Sequence, residues 1–159
     1  LTVQIIEKLN QLGIRSQLHM FGDGPLLPEL KTYISENNLE QEVMCYGNQP
    51  KEAVKAKLQE AHFNILPSKS EGWPKAVAEG MFFGCIPITT QVSCVGWMVD
   101  YGKRGIIIQP ELESAVTTIT THLESADLSD MSKQAQAWSQ QYTFDRLEAD
   151  IKKVLEQKF

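Results

Sequence analysis

Short apolar runs alternate with longer amphipathic segments along most of this chain. Apolar runs of this length between turn residues predict buried strands, and the periodicity of the segments between them predicts helices. Buried strands separated by helices favour a parallel sheet covered on both faces, and right-handed connections then give an α/β, Rossmann-like doubly wound sheet. The predicted strands lie at residues 17–21, 43–46, 63–66, 86–89 and 106–108.

The chain changes character after Pro110, where helical segments follow one another without a strand between them. The last of them has an apolar stripe, with Thr143 as its predicted N-cap. A chain of 159 residues that is 42% hydrophobic builds one core and is too short for two ordinary domains, so we predict one domain over residues 1–159. Helical periodicity begins at Leu1 without a start signal, so we expect an N-terminally truncated unit. The three predicted tail helices span residues 111–123, 129–141 and 144–157.

Glycines and polar residues follow the predicted strands. The carboxyl ends of parallel strands meet at one edge of a sheet, and doubly wound sheets bind their ligands there. Glycine lets the backbone approach a ligand closely, although each such loop alone is an ordinary strand-to-helix turn. We therefore expect Gly22, Gly47, Glu71 and Glu79 to surround a single concavity. The loops read GDGP at 22–25, GNQP at 47–50, PSKSEG at 67–72 and TTQ at 89–91.

The segment EGWPKAVAEGMFFGCIP, residues 71–87, has two carboxylates around a predicted helix start. Glycine and proline disfavour regular structure in its first part, whereas residues 76–83 favour a helix whose first turn lies at residues 75–77. The unpaired amide hydrogens and the dipole of a first turn suit a phosphate or a sugar hydroxyl. Glu79 then either faces a ligand or pairs with Lys75 on a solvated helix face. The spacing alone leaves both open.

Charge and cysteine usage narrow the class of protein. The net charge of −5 without a basic run argues against a nucleic-acid surface, which needs clustered Lys and Arg. The three cysteines lack CxxC spacing, so we expect reduced thiols and no zinc site. His19 and His62 lie in apolar runs, which favours buried structural histidines over metal ligands. Without a signal peptide or a run long enough to span a membrane, we expect a cytoplasmic protein.

Several short motifs follow one another in a fixed order: FGDGP at 21–25, VMCYG at 43–47, LPS at 66–68, EGWP at 71–74, EGM at 79–81, Gly84, Pro87, Gly102 and GIII at 105–108. In this order and spacing they resemble the C-terminal, donor-binding domain of retaining glycosyltransferases with the GT-B fold, family 4, also called glycosyl transferases group 1. The resemblance covers nearly the whole chain and implies one half of a GT-B fold. Glu71 and Glu79 stand at the two ends of the family's E-x7-E motif.

The resemblance implies a role for each matching position. Glu79 is expected to accept hydrogen bonds from the ribose hydroxyls of a nucleotide sugar, which suits an ionised carboxylate. Glu71 is expected near hydroxyls of the donor sugar and is the candidate catalytic residue. Pro74 can shape the loop but has no amide hydrogen to donate. The other candidate binding residues are Gly22 and Gly24 beside the diphosphate, Gly47, Asn48 and Gln49 beside the base, and Gly72, Trp73, Pro74, Lys75, Ala76 and Val77 beside the sugar and diphosphate.

Three departures from the family pattern limit what the resemblance implies. Ala usually follows the second Glu, and Gly80 in its place weakens the helix by up to about 1 kcal/mol. Where the family usually has a turn of a small residue and glycine followed by an acidic residue, this chain has SCVGW at residues 93–97. No role is therefore transferred to that loop. The family's phosphate-binding Arg and Lys lie on a strand and helix start upstream of Leu1, as does the acceptor domain.

We therefore expect a domain that binds a UDP- or GDP-type nucleotide-sugar donor for retaining transfer to a saccharide or lipid-linked acceptor, in polysaccharide biosynthesis. No cofactor and no metal are expected, since no DxD pair follows a strand. The isolated domain is expected to be inactive, and only the full-length protein is expected to associate peripherally with a membrane. Two alternatives remain at this stage: a nucleotide-sugar epimerase on the same fold, and a non-catalytic nucleotide-binding module.

Overall fold

The computed structural model describes residues 1–156, which form alternating helices and parallel strands. A short 3-10 helix at Asp100–Gly102 precedes the last strand. The strands are β1 (Leu18–Met20), β2 (Val43–Cys45), β3 (Phe63–Leu66), β4 (Ile86–Thr90) and β5 (Ile106–Ile108). The helices are α1 (Thr2–Gln11), α2 (Leu27–Glu36), α3 (Lys51–Glu60), α4 (Lys75–Phe82), α5 (Val95–Met98), α6 (Leu112–Ser125), α7 (Leu128–Ser139) and α8 (Phe144–Glu156).

The strands are parallel, as predicted, but their hydrogen bonds form two sheets. β1 pairs with β2, and β3, β4 and β5 form a separate three-stranded sheet in that order. Within the described residues, β1 and β3 each pair on one side only. The two sheets therefore replace the single continuous ladder expected from the sequence, since hydrophobic runs identify strands but not their partners.

Helix α1 holds the two sheets together. Val3 and Ile6 pack in the core cluster of the two-stranded sheet, and Ile5 and Leu9 pack in the cluster of the three-stranded sheet. Because these residues recur at helical spacing, they form two neighbouring apolar stripes on α1, and each stripe packs in one of the two clusters. Ile65 on β3 also packs against both clusters. The two core clusters are therefore joined into a continuous apolar interior.

Helices cover both faces of the three-stranded sheet, which confirms the doubly wound α/β architecture. On β3, Ile65 contacts the cluster that contains α1 and α6, whereas Leu66 contacts the cluster that contains α4, α5 and α7. Successive residues of a strand point to opposite faces, so the two clusters lie on opposite sides of the sheet. Ligands of such an α/β fold bind beyond the carboxyl ends of the strands.

Most ends of the predicted elements lie within two residues of the ends observed in the structure. Thr143 caps α8 as predicted, since its hydroxyl accepts a hydrogen bond from the amide of Arg146 at 3.3 Å. Residue 157, the predicted end of α8, lies outside the described residues. The four-residue helix α5 was not predicted, because it is too short to show periodicity.

The prediction of a buried histidine at position 62 is wrong. His62 is exposed because it lies just before β3, at the amino end of the strand, and His19 is half-buried with its ring Nδ1 2.9 Å from the Tyr46 hydroxyl. All three cysteines are free thiols, as expected. Among residues 1–156, no helix has the length and apolarity that crossing a bilayer requires.

Candidate donor site on helix α4

Helix α4 is fixed against the sheet by one face. Val77 and Met81 are fully buried, and Gly80 lies so close to β3 that a Cβ atom added to it would be 2.7 Å from the Cβ of Asn64. Ala76, in the first turn, is exposed. Since Glu79 precedes Gly80 on the helix, the contacts of the buried face orient its carboxylate towards solvent.

The helix begins at Lys75, as predicted from the sequence. Pro74 is the residue before the first turn, and its carbonyl oxygen accepts hydrogen bonds from the amides of Val77 and Ala78. No side chain caps this first turn. Its leading amides, at Lys75 and Ala76, are therefore positioned to bind an anion at the positive end of the helix dipole.

Glu79 is exposed and borders a surface depression with a volume of about 260 Å³. In the described part of the chain, no ion pair joins Glu79 to Lys75, so the alternative of a surface charge pair has no support in the structure. Ligand pockets usually hold about 300–1,000 Å³, so this depression accommodates only part of a ligand. It is lined by Trp73, Ala78, Glu79, Phe82, Phe83, Ser139 and Tyr142.

Glu71 is half-buried in the loop between β3 and α4. The Ser68 hydroxyl donates a 2.5 Å hydrogen bond to its Oε1 atom, and this contact fixes the carboxylate beside the end of β3. The carbonyl oxygen of Ser68 in turn accepts a hydrogen bond from the hydroxyl of Thr90, at the end of β4. Glu71 is therefore ordered by contacts that join the carboxyl ends of two neighbouring strands.

The glycine loops after β1 and β2 contact each other. The amide of Gly22 donates a 2.8 Å hydrogen bond to the carbonyl oxygen of Gly47, and both glycines have positive φ angles, 109° and 66°. A side chain would strain the backbone at either position. Gly24, Asn48 and Gln49 are exposed beside them, and the Gln49 side-chain amide donates to the Tyr46 carbonyl oxygen.

The structure thus brings together some of the predicted site residues and not others. Gly22 and Gly47 meet directly, and Glu79 shares a depression with Trp73, but that depression does not include Gly22, Gly47 or Glu71. A single concavity around all four residues stays a prediction. Among residues 1–156, no group of three or more His, Cys, Asp or Glu side chains is placed to hold a metal ion.

An aromatic cluster beside Glu79 was not found by sequence reasoning. Trp138 is almost buried, and the rings of Trp73, Trp97 and Tyr142 surround it at centroid distances of 6.4, 5.3 and 4.7 Å. The guanidinium carbon of Arg104 lies 5.0 Å from the centroid of the Trp138 ring. The four aromatic residues come from four separate elements and loops, so no local spacing could have revealed the cluster.

Comparison with known proteins shows the family of the chain. The sequence profile described as "Glycosyl transferases group 1" matches residues 1–156. The chain belongs to this family. A putative colanic acid biosynthesis glycosyltransferase of Salmonella typhimurium is 30% identical over 112 residues, which is 67% of this chain and 28% of that protein. A lipopolysaccharide 1,6-galactosyltransferase of the same organism is 30% identical over 109 residues, 67% of this chain and 30% of that protein.

Solved structures of low sequence identity share the fold. The pneumococcal O-GlcNAc transferase GtfA, in complex with UDP and GlcNAc, superposes with a TM-score of 0.83 at 16% identity, over 98% of this chain and 32% of that one. Anabaena HepE, in complex with UDP and glucose, gives a TM-score of 0.73 at 16% identity, over 98% of this chain and 52% of that one. This family member therefore spans less than a third of the two curated relatives named above and resembles one part of larger proteins.

Proposed function

We propose that this chain binds the nucleotide-sugar donor of a retaining glycosyltransferase, which transfers a sugar from a UDP- or GDP-type donor to a saccharide or lipid-linked acceptor. The observation that carries the proposal is the position of Glu79. Its carboxylate is exposed and not paired with Lys75, and it lies one turn from a helix start that no side chain caps. Carboxylate and amides together match the ribose hydroxyls and the diphosphate of such a donor.

The similar proteins support this choice of ligand. Two solved structures with the same fold are complexes with UDP, together with GlcNAc in one and glucose in the other. The names of the curated relatives refer to colanic acid, amylovoran and lipopolysaccharide, which supports a role in polysaccharide biosynthesis. A donor that contains a nucleoside diphosphate agrees with the UDP in those two structures and with the chemistry of helix α4.

The proposed mechanism assigns each group a binding or positioning task. Glu79 accepts hydrogen bonds from the ribose, the first turn of α4 stabilises the diphosphate as it leaves, and Glu71 orients hydroxyls of the donor sugar. The Ser68 hydroxyl holds Glu71 in place before the donor arrives, which reduces the entropy lost on binding. Transfer with retention then depends on positioning the donor and on stabilising the leaving group.

The split sheet supports a larger functional unit. Among the described residues, β1 and β3 each have an edge without a partner strand, and such an edge presents backbone N–H and C=O groups with which another strand can pair. We propose that the complete protein supplies a further strand there, together with an acceptor domain, and that the isolated chain transfers no sugar. The free cysteines fit the cytoplasm, where the full-length protein would meet nucleotide sugars and would associate peripherally with a membrane.

The test is calorimetric titration of the full-length protein with UDP and with GDP, comparing Glu79→Gln with the unchanged protein. The substitution keeps the shape of the side chain but removes the charge that accepts the ribose hydrogen bonds. A hydrogen bond to a charged group contributes about 1.5–3 kcal/mol, so the affinity should fall by about 10- to 100-fold.

The matched control is Glu124→Gln, which removes the same charge from an exposed position on α6. We expect it to bind the nucleotide as the unchanged protein does. Equal affinities for the two variants would reject Glu79 as the ribose ligand, and absence of binding to either nucleotide would reject the donor-binding proposal.

A further inference from the structure

Residues 93–97, to which the family pattern transfers no role, lead into a firmly anchored helix. The side chains of Val95 and Met98 on α5 are fully buried. The guanidinium of Arg104 donates hydrogen bonds to the carbonyl oxygens of Met98 and Trp97, at 2.7 and 3.0 Å. Because the core and the Arg104 side chain hold this segment, its order does not depend on a ligand.

This segment contacts the donor loop, which we define as residues 71–74, at two consecutive positions. The Cys94 thiol donates a hydrogen bond to the Gly72 carbonyl oxygen, with the sulfur 3.1 Å from the oxygen. The ring of Trp97 packs against that of Trp73, with centroids 6.2 Å apart and ring planes inclined by 54°. A thiol hydrogen bond is weak, so the contact between the two aromatic rings is the stronger of the two.

The donor loop depends on side-chain contacts for its order. Among residues 1–156, no backbone-to-backbone hydrogen bond involves residues 69–73. The hydrogen bond from Ser68 to Glu71 fixes one end of the loop, and the start of α4 fixes the other. Gly72 lies between them and has more conformational freedom than any other residue type. The middle of the loop is therefore held by side chains from other segments.

The donor loop also carries the start of the candidate site. Trp73 borders the same depression as Glu79 and directly precedes Pro74. The carbonyl oxygen of Pro74 accepts hydrogen bonds from the amides of Val77 and Ala78, at 3.0 and 3.3 Å. A displacement of Trp73 therefore also displaces the first turn of α4, where the amides proposed to bind the diphosphate lie.

We propose that Trp97 and Cys94 are positioning residues for the donor site, which hold Trp73 and Gly72 and thereby fix the donor loop and the first turn of α4. They act through the loop and not by contact with the donor. A loop that is ordered before binding loses less entropy when the donor arrives, so these contacts raise donor affinity. The inference rests on the proposed function, because it requires the donor to bind at this loop.

The first experiment is calorimetric titration of the full-length protein with UDP and with GDP. Trp97→Ala removes the ring that packs on Trp73, so the nucleotide affinity should fall by about 3- to 10-fold. Trp97→Phe keeps an aromatic face at this position and should restore most of the affinity. Cys94→Ala should lower the affinity by about twofold, whereas Cys94→Ser keeps a hydrogen-bond donor and should not.

Val99→Ala is the matched control for a general loss of stability. Val99 is fully buried at the end of α5 and packs beside Gly105. The substitution removes apolar atoms from the core and so destabilises the same part of the fold. It leaves the rings of Trp97 and Trp73 in place, so the nucleotide affinity should equal that of the unchanged protein.

A second measurement needs no nucleotide. Amide hydrogen exchange, followed by mass spectrometry on the full-length protein, reports how often the first turn of α4 opens. In Trp97→Ala, the amides of Val77 and Ala78 should exchange about 3- to 10-fold faster, in proportion to the aromatic contact that is lost. The amides of α6 serve as the internal reference, and their exchange should not change.

The outcomes distinguish this proposal from the donor site itself. If Glu79→Gln weakens nucleotide binding but Trp97→Ala does not, the positioning role is rejected and the donor site remains. If Val99→Ala weakens binding as much as Trp97→Ala, the effect is one of stability and the positioning role is also rejected. Unchanged exchange at Val77 and Ala78 in Trp97→Ala would overturn the proposal as well. Absence of nucleotide binding to the unchanged protein would reject the donor site and, with it, the residues that position it.

Discussion

Gly80→Ala is the substitution for which the structure gives the sharpest expectation. Alanine is the better helix former by about 1 kcal/mol, so the helix alone predicts stabilisation. The structure predicts the opposite, because the new methyl group would lie 2.7 Å from Cβ and 2.9 Å from Cγ of Asn64. Neither atom is the far end of a flexible side chain, so the strand or the helix must move.

Overpacking of a core costs about 1–3 kcal/mol, against a gain in helix propensity of about 1 kcal/mol. Because both contacts with Asn64 are shorter than 3.0 Å, we expect a cost of about 2–3 kcal/mol and a net loss of about 1–2 kcal/mol in the free energy of unfolding. For a chain of this size the midpoint of thermal unfolding should fall by about 2–8 °C. Urea unfolding followed by circular dichroism measures the loss directly.

Two further variants isolate the contact. Gly24→Ala adds a methyl group where no atom lies within 4 Å and φ is not positive, so it should change stability by less than about 0.5 kcal/mol. Asn64→Gly removes the side chain that the methyl group would meet, and in that background Gly80→Ala should become stabilising. If Gly80→Ala raises the stability of the otherwise unchanged chain, the close packing of α4 on β3 is refuted.

Two other predictions concern the surroundings of the site. The buried Ser139 hydroxyl donates a 2.7 Å hydrogen bond to the Ala78 carbonyl oxygen, so Ser139→Ala should cost about 1 kcal/mol in urea unfolding, whereas Ser125→Ala, at an exposed position on α6, should cost less; equal losses would contradict the role of this bond. Burial, aided by the nearby Lys57 charge, lowers the pKa of His19 below its usual 6.5. Its contribution to stability is thus complete above pH 6.5 and is lost as the pH falls towards the folded pKa, a dependence that His19→Gln should reduce in unfolding curves measured across that range.

The sequence predicted individual elements better than their assembly. The apolar runs at Phe63–Leu66 and Ile106–Ile108 coincide with β3 and β5, since Pro67 ends the first directly and Gly105 and Pro110 bound the second. The separation into two sheets was missed, since which strands pair depends on contacts between distant residues. A buried His62 was predicted because the residues next to it in sequence are apolar. Its exposure depends instead on its position at the amino end of β3.

The candidate site likewise has features that the sequence predicted and features that only the structure shows. The first turn of α4 followed from proline and glycine before a helix-forming segment, and the E-x7-E spacing put Glu71 and Glu79 on either side of it. The hydrogen bond from Ser68 to Glu71 is local, yet many loop serines make no such contact, so its presence required the structure. The aromatic cluster depends on the packing of α7 against α4, which no single segment encodes.

Gly80 links the stability of the fold to the geometry of the site. It is the residue next to Glu79, so a displacement of the helix backbone at position 80 also moves the carboxylate proposed to bind ribose. Hydrogen bonds weaken steeply when their geometry is distorted, so a few tenths of an ångström at this position should affect nucleotide affinity as well as stability. The alanine that the family usually has at this position would require a different partner from Asn64 on β3. The glycine is thus best explained as the counterpart of Asn64, a pair that sets how closely α4 approaches the sheet and therefore where Glu79 lies.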